Sequence, residues 1–283
     1  MEKNESKPKV SSRRKPGSIH SFWTPVFTGV TALCLIVFPA CRWKLRPTFP
    51  ADRIAASLRH MCSTDYKLSV ETRHESKSLQ ALVWKVALFK GQSRDLQGMT
   101  REGLDTLNHV LLCATRIALS TDAPLDFIEI KMADVLSGST VTLWRYVPDI
   151  RDSMLQRIGD TEYFNRLVVE VDVDNKKALK GAAIPWDKPM TMSEFLAKQV
   201  ILRARREGVE TIEAHEDLSE PTTLGVIIDN WPSIEEEGPE HAARVTDIVH
   251  KSAETVIQGY RFNGFHGITL RDSQGVALNS WPL

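Results

Sequence analysis

The chain has 283 residues, with 36 Lys and Arg balanced by 36 Asp and Glu, 25% charged and 42% hydrophobic. Nine of the basic residues fall before residue 47 against two acidic ones, which leaves 27 basic and 34 acidic residues beyond it. That acidic excess speaks against nucleic acid as a partner, because such binding rests on neutralising phosphates.

Lys3, Lys7, Lys9, Arg13, Arg14 and Lys15 crowd the basic tail of residues 1–20. Residues 21–41 then carry no ionisable group except the thiols of Cys34 and Cys41. As a helix, 21 residues reach about 31 Å, the thickness of one hydrocarbon core. A charge at mid-bilayer costs about 3 kcal/mol on insertion scales, so a charge-free stretch of this length marks a membrane or signal segment. Only Arg42, Lys44 and Arg46 follow closely, and six basic residues against three place the N-terminus in the cytoplasm. Trp23 and Trp43 bracket the segment as an aromatic belt would. Phe38-Pro39-Ala40-Cys41 is similar to a bacterial lipobox, in which the cysteine is lipidated and becomes the new N-terminus. Ala40 fits that pattern; Phe38 and Pro39 depart from it. Lipidation at Cys41 and an uncleaved anchor both stand as expectations.

Beyond a basic spacer at 42–49, Ile54, Ala55, Leu58 and Met61 have helical spacing. Alternation predicts strands at 66–72 and 79–89. The strongest helix spans about 101–119, where Leu104, Leu107, Leu111, Ala114 and Ala118 form one stripe. Ile128, Ile130 and Met132 make a half-buried strand, with 141–147 returning as its partner. Asp149 reads as an N-cap after Pro148, and Asp160 as the cap of a helix running through Tyr163, Phe164, Leu167 and Val168. Residues 172–189 read as a linker. Thr191 and Glu194 have capping-box spacing for a helix to about 206. A strand at 224–228, an acidic loop at 235–238 and a helix opened by Pro239 follow. A hairpin closes the chain, with Ile268 and Leu270 facing Val276 and Leu278. No internal repeat is visible. The predicted fold class is α+β, an antiparallel sheet with helices packed on one face, preceded by one N-terminal transmembrane or signal segment. The expected domains are 50–170 and a second α+β region at 190–283.

Residues Leu119 to Ala123 (LSTDA), Trp144 to Asp149 (WRYVPD) and Glu162-Tyr163-Phe164 resemble uncharacterised bacterial membrane-anchored or lipoprotein-like sequences, over roughly residues 50–170. That resemblance implies an envelope setting and brings no assigned activity and no catalytic residue.

No sequence motif carries a chemistry. Gly-x-Ser-x-Gly, Walker A and Gly-x-Gly-x-x-Gly patterns are missing from the sequence. Asp172, Asp174 and Asn175 begin like a calcium loop, but Ala183 stands where the twelfth-position carboxylate is required, and counting from Glu170 puts Gly181 there. Glu213, His215, Glu216, Asp217 and Glu220 are the densest group of metal-ligand types, without the spacing of a metal motif; a solvated face accounts for them. His241 and His250 lie nine residues apart, and His60 and Cys62 make no site alone. Lys198, Arg203, Arg205 and Arg206 form a basic helix end, suited to the helix dipole or to anionic lipid. Cys62 and Cys113 are read as buried thiols, with a disulfide as the alternative. Trp84 and Trp144 are expected in the core; Trp186, Trp231 and Trp281 each adjoin a proline in a loop context.

The reading is a non-catalytic envelope interaction module, extracytoplasmic and tethered to a bacterial cell membrane by a single N-terminal anchor. Membrane lipid and an envelope protein are the expected partners; no nucleic acid, cofactor or metal is expected. A tethered hydrolase acting on envelope material and a small-ligand sensor are the alternatives, and catalytic residues are not assignable from sequence.

Overall fold

Thr100 starts the helix on which the first half is built. Its Oγ accepts from Gly103 N at 3.1 Å, and its own N–H donates to Leu88 O at 2.7 Å. Helix α2 (Arg101–Ser120) then buries Leu107, Val110, Leu111, Ala114, Ile117 and Ala118. Helix α1 (Ile54–Tyr66) lies beside it, burying Ile54, Leu58, Met61 and Cys62, and ends where Lys67 turns left-handed at φ 57°. Both cover one face of a five-stranded sheet: β1 (Glu71–Glu75), β2 (Ser78–Lys85), β3 (Phe127–Asp134), β4 (Thr140–Tyr146) and β5 (Val168–Asp172), in that order. Short helices α3 (Val147–Met154) and α4 (Asp160–Asn165) lie between β4 and β5.

This computed structural model describes residues 48–90, 98–172, 184, 186–209, 212–216 and 222–283, and Glu216 by its backbone alone. The 21–41 segment with Cys41, and Asp174, Asn175, Asp217 and Glu220, lie outside the described residues. No helix among those described is long and apolar enough to cross a membrane.

The second half begins with α5 (Met192–Arg206), opened by the expected capping box of Thr191 and Glu194. It continues through β6 (Ile212–Glu216), β7 (Thr223–Ile228), α6 (Trp231–Glu236), α7 (Pro239–Gly259), β8 (Gly267–Asp272) and β9 (Ala277–Pro282). Its sheet has the order β6-β7-β8-β9. Leu224, Val226, Ile228, Ile268 and Leu270 pack against Leu196, Val200, Val249 and Ala253 of α5 and α7. The described residues fall within one compact unit, Pro47–Leu283.

The α+β class holds, but neither sheet is purely antiparallel. β2 pairs with β3 in parallel, and β7 with β8 likewise. The cause is α2, whose 20 residues return the chain about 30 Å to the end where β2 began, so β3 runs the same way; α7 does this in the second half. Nor are helices confined to one face of the first sheet, since Phe195 of α5 packs against Phe127, Trp144 and Val168 on the other.

Several local expectations change. Residues 168–172 form the edge strand β5 instead of a helix end, and Ile212–Glu216 form edge strand β6 instead of a loop. Asp149 lies inside the first turn of α3, whose N-cap is Tyr146, and Gly159 precedes Asp160 as the cap of α4. Glu235 and Glu236 belong to α6. The closing hairpin forms, but Ile268 lies opposite Trp281 and Leu270 opposite Asn279, with an irregularity before Arg271.

A repeat invisible in sequence appears in the topology. The order α1-β1-β2-α2-β3-β4 recurs as α5-β6-β7-α7-β8-β9, apart from the inserted α6, with the same pairing senses. Ser78 pairs with Phe127 and Thr223 with Gly267, so the first residues of corresponding strands align.

Candidate functional site

The stretches 119–123, 144–149 and 162–164 converge at one end of the first sheet, where the second half docks. Pro148 pre-sets the first turn of α3 and carries Asp149 inward, leaving it 4% exposed. Arg166, just past α4, donates from Nη1 to Asp149 Oδ1 at 2.8 Å and from Nε to Glu162 Oε1 at 2.9 Å. Tyr260, at the end of α7, donates its hydroxyl to Asp149 Oδ2 at 2.9 Å, and the Arg166 guanidinium lies 4.7 Å from the centre of its ring. Gln199 of α5 donates to Arg166 O at 2.5 Å and Arg206 to Asn165 O at 3.0 Å. Phe127, Tyr146, Phe195 and Tyr260 close the aromatic wall, with ring centres 5.3 to 5.8 Å apart.

Burial raises the Asp149 carboxyl above its ordinary range, while the bonds from Arg166 and Tyr260 pull it back. Burial works against the charge of Arg166, but Glu162 and Asp149 together hold its proton more tightly than usual. Tyr260 is pushed well up by burial and by the adjacent Asp149 charge. Arg145 is 7% exposed; burial lowers its pKa, and its guanidinium lies 4.5 Å from the centre of the Tyr163 ring. Both Asp149 oxygens accept hydrogen bonds from within the protein. Such a group fastens two surfaces.

A second polar cluster lies on the face of the first sheet away from α1 and α2. Gln80, Glu129 and Trp144 form one cross-strand row. Gln80 Nε2 donates to Glu129 Oε2 at 3.1 Å and to Asp187 O at 3.2 Å, and Trp144 also donates to Glu129. Glu129 is 2% exposed; burial raises its carboxyl above the ordinary range against the pull of Gln80. Lys131 reaches Asp187 Oδ2 at 2.5 Å. Ile184 packs on Leu82 and Ala133, with Trp84 and Trp186 alongside.

The second half carries two clefts. One, of about 430 Å³, includes Thr223, Gly267, Thr269, Arg271, Ser280 and Trp281 in its lining. The other, of about 370 Å³, includes His250, Glu254, Arg261, Asn263, Phe265 and His266.

The sequence-derived candidates scatter. Glu213 and His215 are exposed on edge strand β6, and no group of three or more metal-ligand types clusters among the described residues. His241 faces Glu237 at 3.5 Å, His250 stacks on Trp281 at 4.7 Å, and His60 is exposed. Cys62 and Cys113 are buried free thiols in mutual contact. Lys198 pairs with Glu170, and Arg205 and Arg206 donate to Ile212 O and Asn165 O. Trp84 is half-buried, its indole donating to Glu71 at 3.2 Å. Trp144 and Trp231 are buried, Trp231 donating to Glu235 at 2.8 Å, while Trp186 and Trp281 are half-buried.

Sequence reasoning missed Asp149, Arg166, Tyr260 and Glu129. A local signal existed only for Glu129, a carboxylate inside an apolar alternation; nothing in the sequence joins Tyr260 to a partner 111 residues away. No protein-family model, curated protein or solved structure matches the chain.

Proposed function

We propose that the protein is a membrane-tethered, extracytoplasmic interaction module, a rigid platform for an envelope protein partner and not an enzyme. The closed Asp149–Arg166–Tyr260 network carries this reading: a buried carboxylate, its arginine and a tyrosine from the other half bond to one another and weld the two sheets together. Perturbed groups in catalytic sites face a reactant instead.

The path of the chain supports the same reading. Phe49 bridges to Thr121, and Ala51 N–H bonds the Asp122 carboxylate at 3.0 Å, so the chain enters at the end of the first sheet where β3 begins. Val86 and Leu136, 61% and 62% exposed, lie beyond the opposite ends of β2 and β3. An eight-residue strand separates those ends by about 26 Å. Val86 and Leu136 make that far end the expected contact surface.

Photo-cross-linking of the full-length chain in native membranes tests the proposal, with the reactive side chain placed in turn at exposed positions on every face. Adducts to one protein, confined to one face, are expected. A chain that gives no protein adduct at any position overturns it.

A further inference from the structure

The apolar spacing of α3 runs on past the core. Ile150 is buried. Met154, one turn further along the same side of the helix, is 62% exposed, and its neighbour Leu155 is 61% exposed. Gln156 then turns left-handed at φ 55°. Leu155 N–H bonds Arg151 O at 3.0 Å and Arg157 N–H bonds Asp152 O at 2.8 Å, so the turn is closed by its own backbone.

This turn lies where the described chain begins. Arg151 reaches Ala118 O, in the last turn of α2, at 3.5 Å. Phe49 N–H bonds Ser120 O at 3.3 Å, and Ala51 N–H bonds Asp122 Oδ1 at 3.0 Å. The spacer that follows the charge-free stretch 21–41 therefore enters the fold beside α3. Even at full extension, the seven residues from Cys41 to Thr48 span no more than about 25 Å. The charges around the turn cancel, Arg151 and Arg157 against Asp152 and Asp160, and Arg157 is already held by Asp152 at 3.1 Å. Met154 and Leu155 are thus an apolar pair on a neutral surface, next to the point where residues 1–47 depart.

We propose that Met154 and Leu155 dip into the interfacial layer of the bilayer that holds the tether, a zwitterionic lipid surface, and so set how the fold stands on it. The pair supplies apolar contact, its neutral flanks admit neutral headgroups, and the closed turn holds both side chains outward. Apolar side chains placed at the headgroup boundary strengthen a tether without replacing it. This contact rests on the tether of the proposed function and gives the fold a second hold on the membrane.

An environment-sensitive fluorescent amino acid at Gln156, exposed beside the pair, tests the contact; a second protein carries it at Leu136, at the far end of the sheet. The full-length chain is reconstituted into phosphatidylcholine vesicles, plain or brominated near the top of the acyl chains. Emission at 156 should move to the blue and fall about twofold or more with brominated lipid, as for a group roughly 5–10 Å into the headgroup boundary. Emission at 136 should do neither. Met154→Ser combined with Leu155→Ser should abolish the quenching at 156, with an unchanged thermal midpoint because both side chains are exposed. Emission at 156 that matches 136 in both vesicles, or quenching that persists in the double variant, overturns the proposal. So does a blue shift that bromine fails to quench, which would put protein over the pair, a second copy or residues 21–41. A chain that does not float with the vesicles brings down the tether reading as well. One that floats with 156 unquenched brings down this contact alone.

Discussion

Tyr260 and Asp149 lie 111 residues apart and meet at 2.9 Å, hydroxyl to carboxylate, across the seam between the two sheets. Hydrogen bonds to a charged group contribute about 1.5–3 kcal/mol. Tyr260→Phe keeps the ring stack and removes only that bond, so it should lower stability by about 2 kcal/mol in urea unfolding, with an unchanged slope. Asp149→Ala also strips Arg166 of one of its two carboxylates in a buried setting, and should cost about 3–5 kcal/mol. No loss in Tyr260→Phe beside a large loss in Asp149→Ala would show that the Tyr260 hydroxyl adds no bond of its own.

Glu129 predicts a pH dependence with a definite sign. Burial raises its folded-state pKa above the ordinary glutamate value of about 4.3. Between the two values the folded chain holds a proton that the unfolded chain has released. The contribution to stability is therefore complete below about pH 4.3 and declines as pH rises through the folded value. The difference in unfolding free energy between wild type and Glu129→Gln should shift against wild type across that window and then level off. A difference that stays constant with pH would remove Glu129 as the titrating group.

Asp134 is the opposite case. Burial works to raise its pKa, but the amides of Leu136, Leu88 and Ser137 and the Ser137 side chain hold it below the usual aspartate range. The amide of Ala87 donates to it too, at 3.2 Å, so one carboxylate fixes both loops that carry Val86 and Leu136. Its stabilisation is present above the ordinary value of about 3.9 and is lost as pH falls through the depressed one. Asp134→Ala should cost about 3 kcal/mol by leaving buried N–H groups without an acceptor. Hydrogen exchange at Leu88 and Leu136 should accelerate in that variant, with little change at Leu224 in the other sheet.

Cys62 and Cys113 sit in the α1–α2 seam, and the hydrogen bond between them together with burial holds Cys62 protonated. Iodoacetamide requires an accessible thiolate. Neither residue should be alkylated in the folded chain, and both should be alkylated once it is unfolded in urea without reductant. Labelling of Cys62 under native conditions, or failure of both to label after unfolding, would contradict buried free thiols.

The sequence made legible what local patterning encodes. The α2 stripe, the Thr191 capping box and the alternation of Ile128, Ile130 and Met132 led to the right elements. Sheet sense did not follow, because the same alternation fits either direction and α2 decides it. Edge strands β5 and β6 were missed for a related reason: with one side exposed, Glu170 and Asp172, or Glu213 and His215, dilute the apolar signal until one segment reads as a helix end and the other as loop. The repeat stayed hidden because it is one of register and spacing. Gln80 and Gly225, or Trp144 and Ser280, share a place and no chemistry. The Asp149 network was out of reach because its members come from α3, α4 and α7, and only the packing of the two sheets assembles them.

The intact mass of the chain purified from native membranes is the most direct test of the tether on which the functional account depends. A tethered chain gives either a species beginning at Cys41 with added acyl mass, or a chain that retains residues 21–41 and resists an alkaline wash. A chain that has lost residues 21–41, carries no acyl group and is recovered with the water-soluble fraction would contradict it.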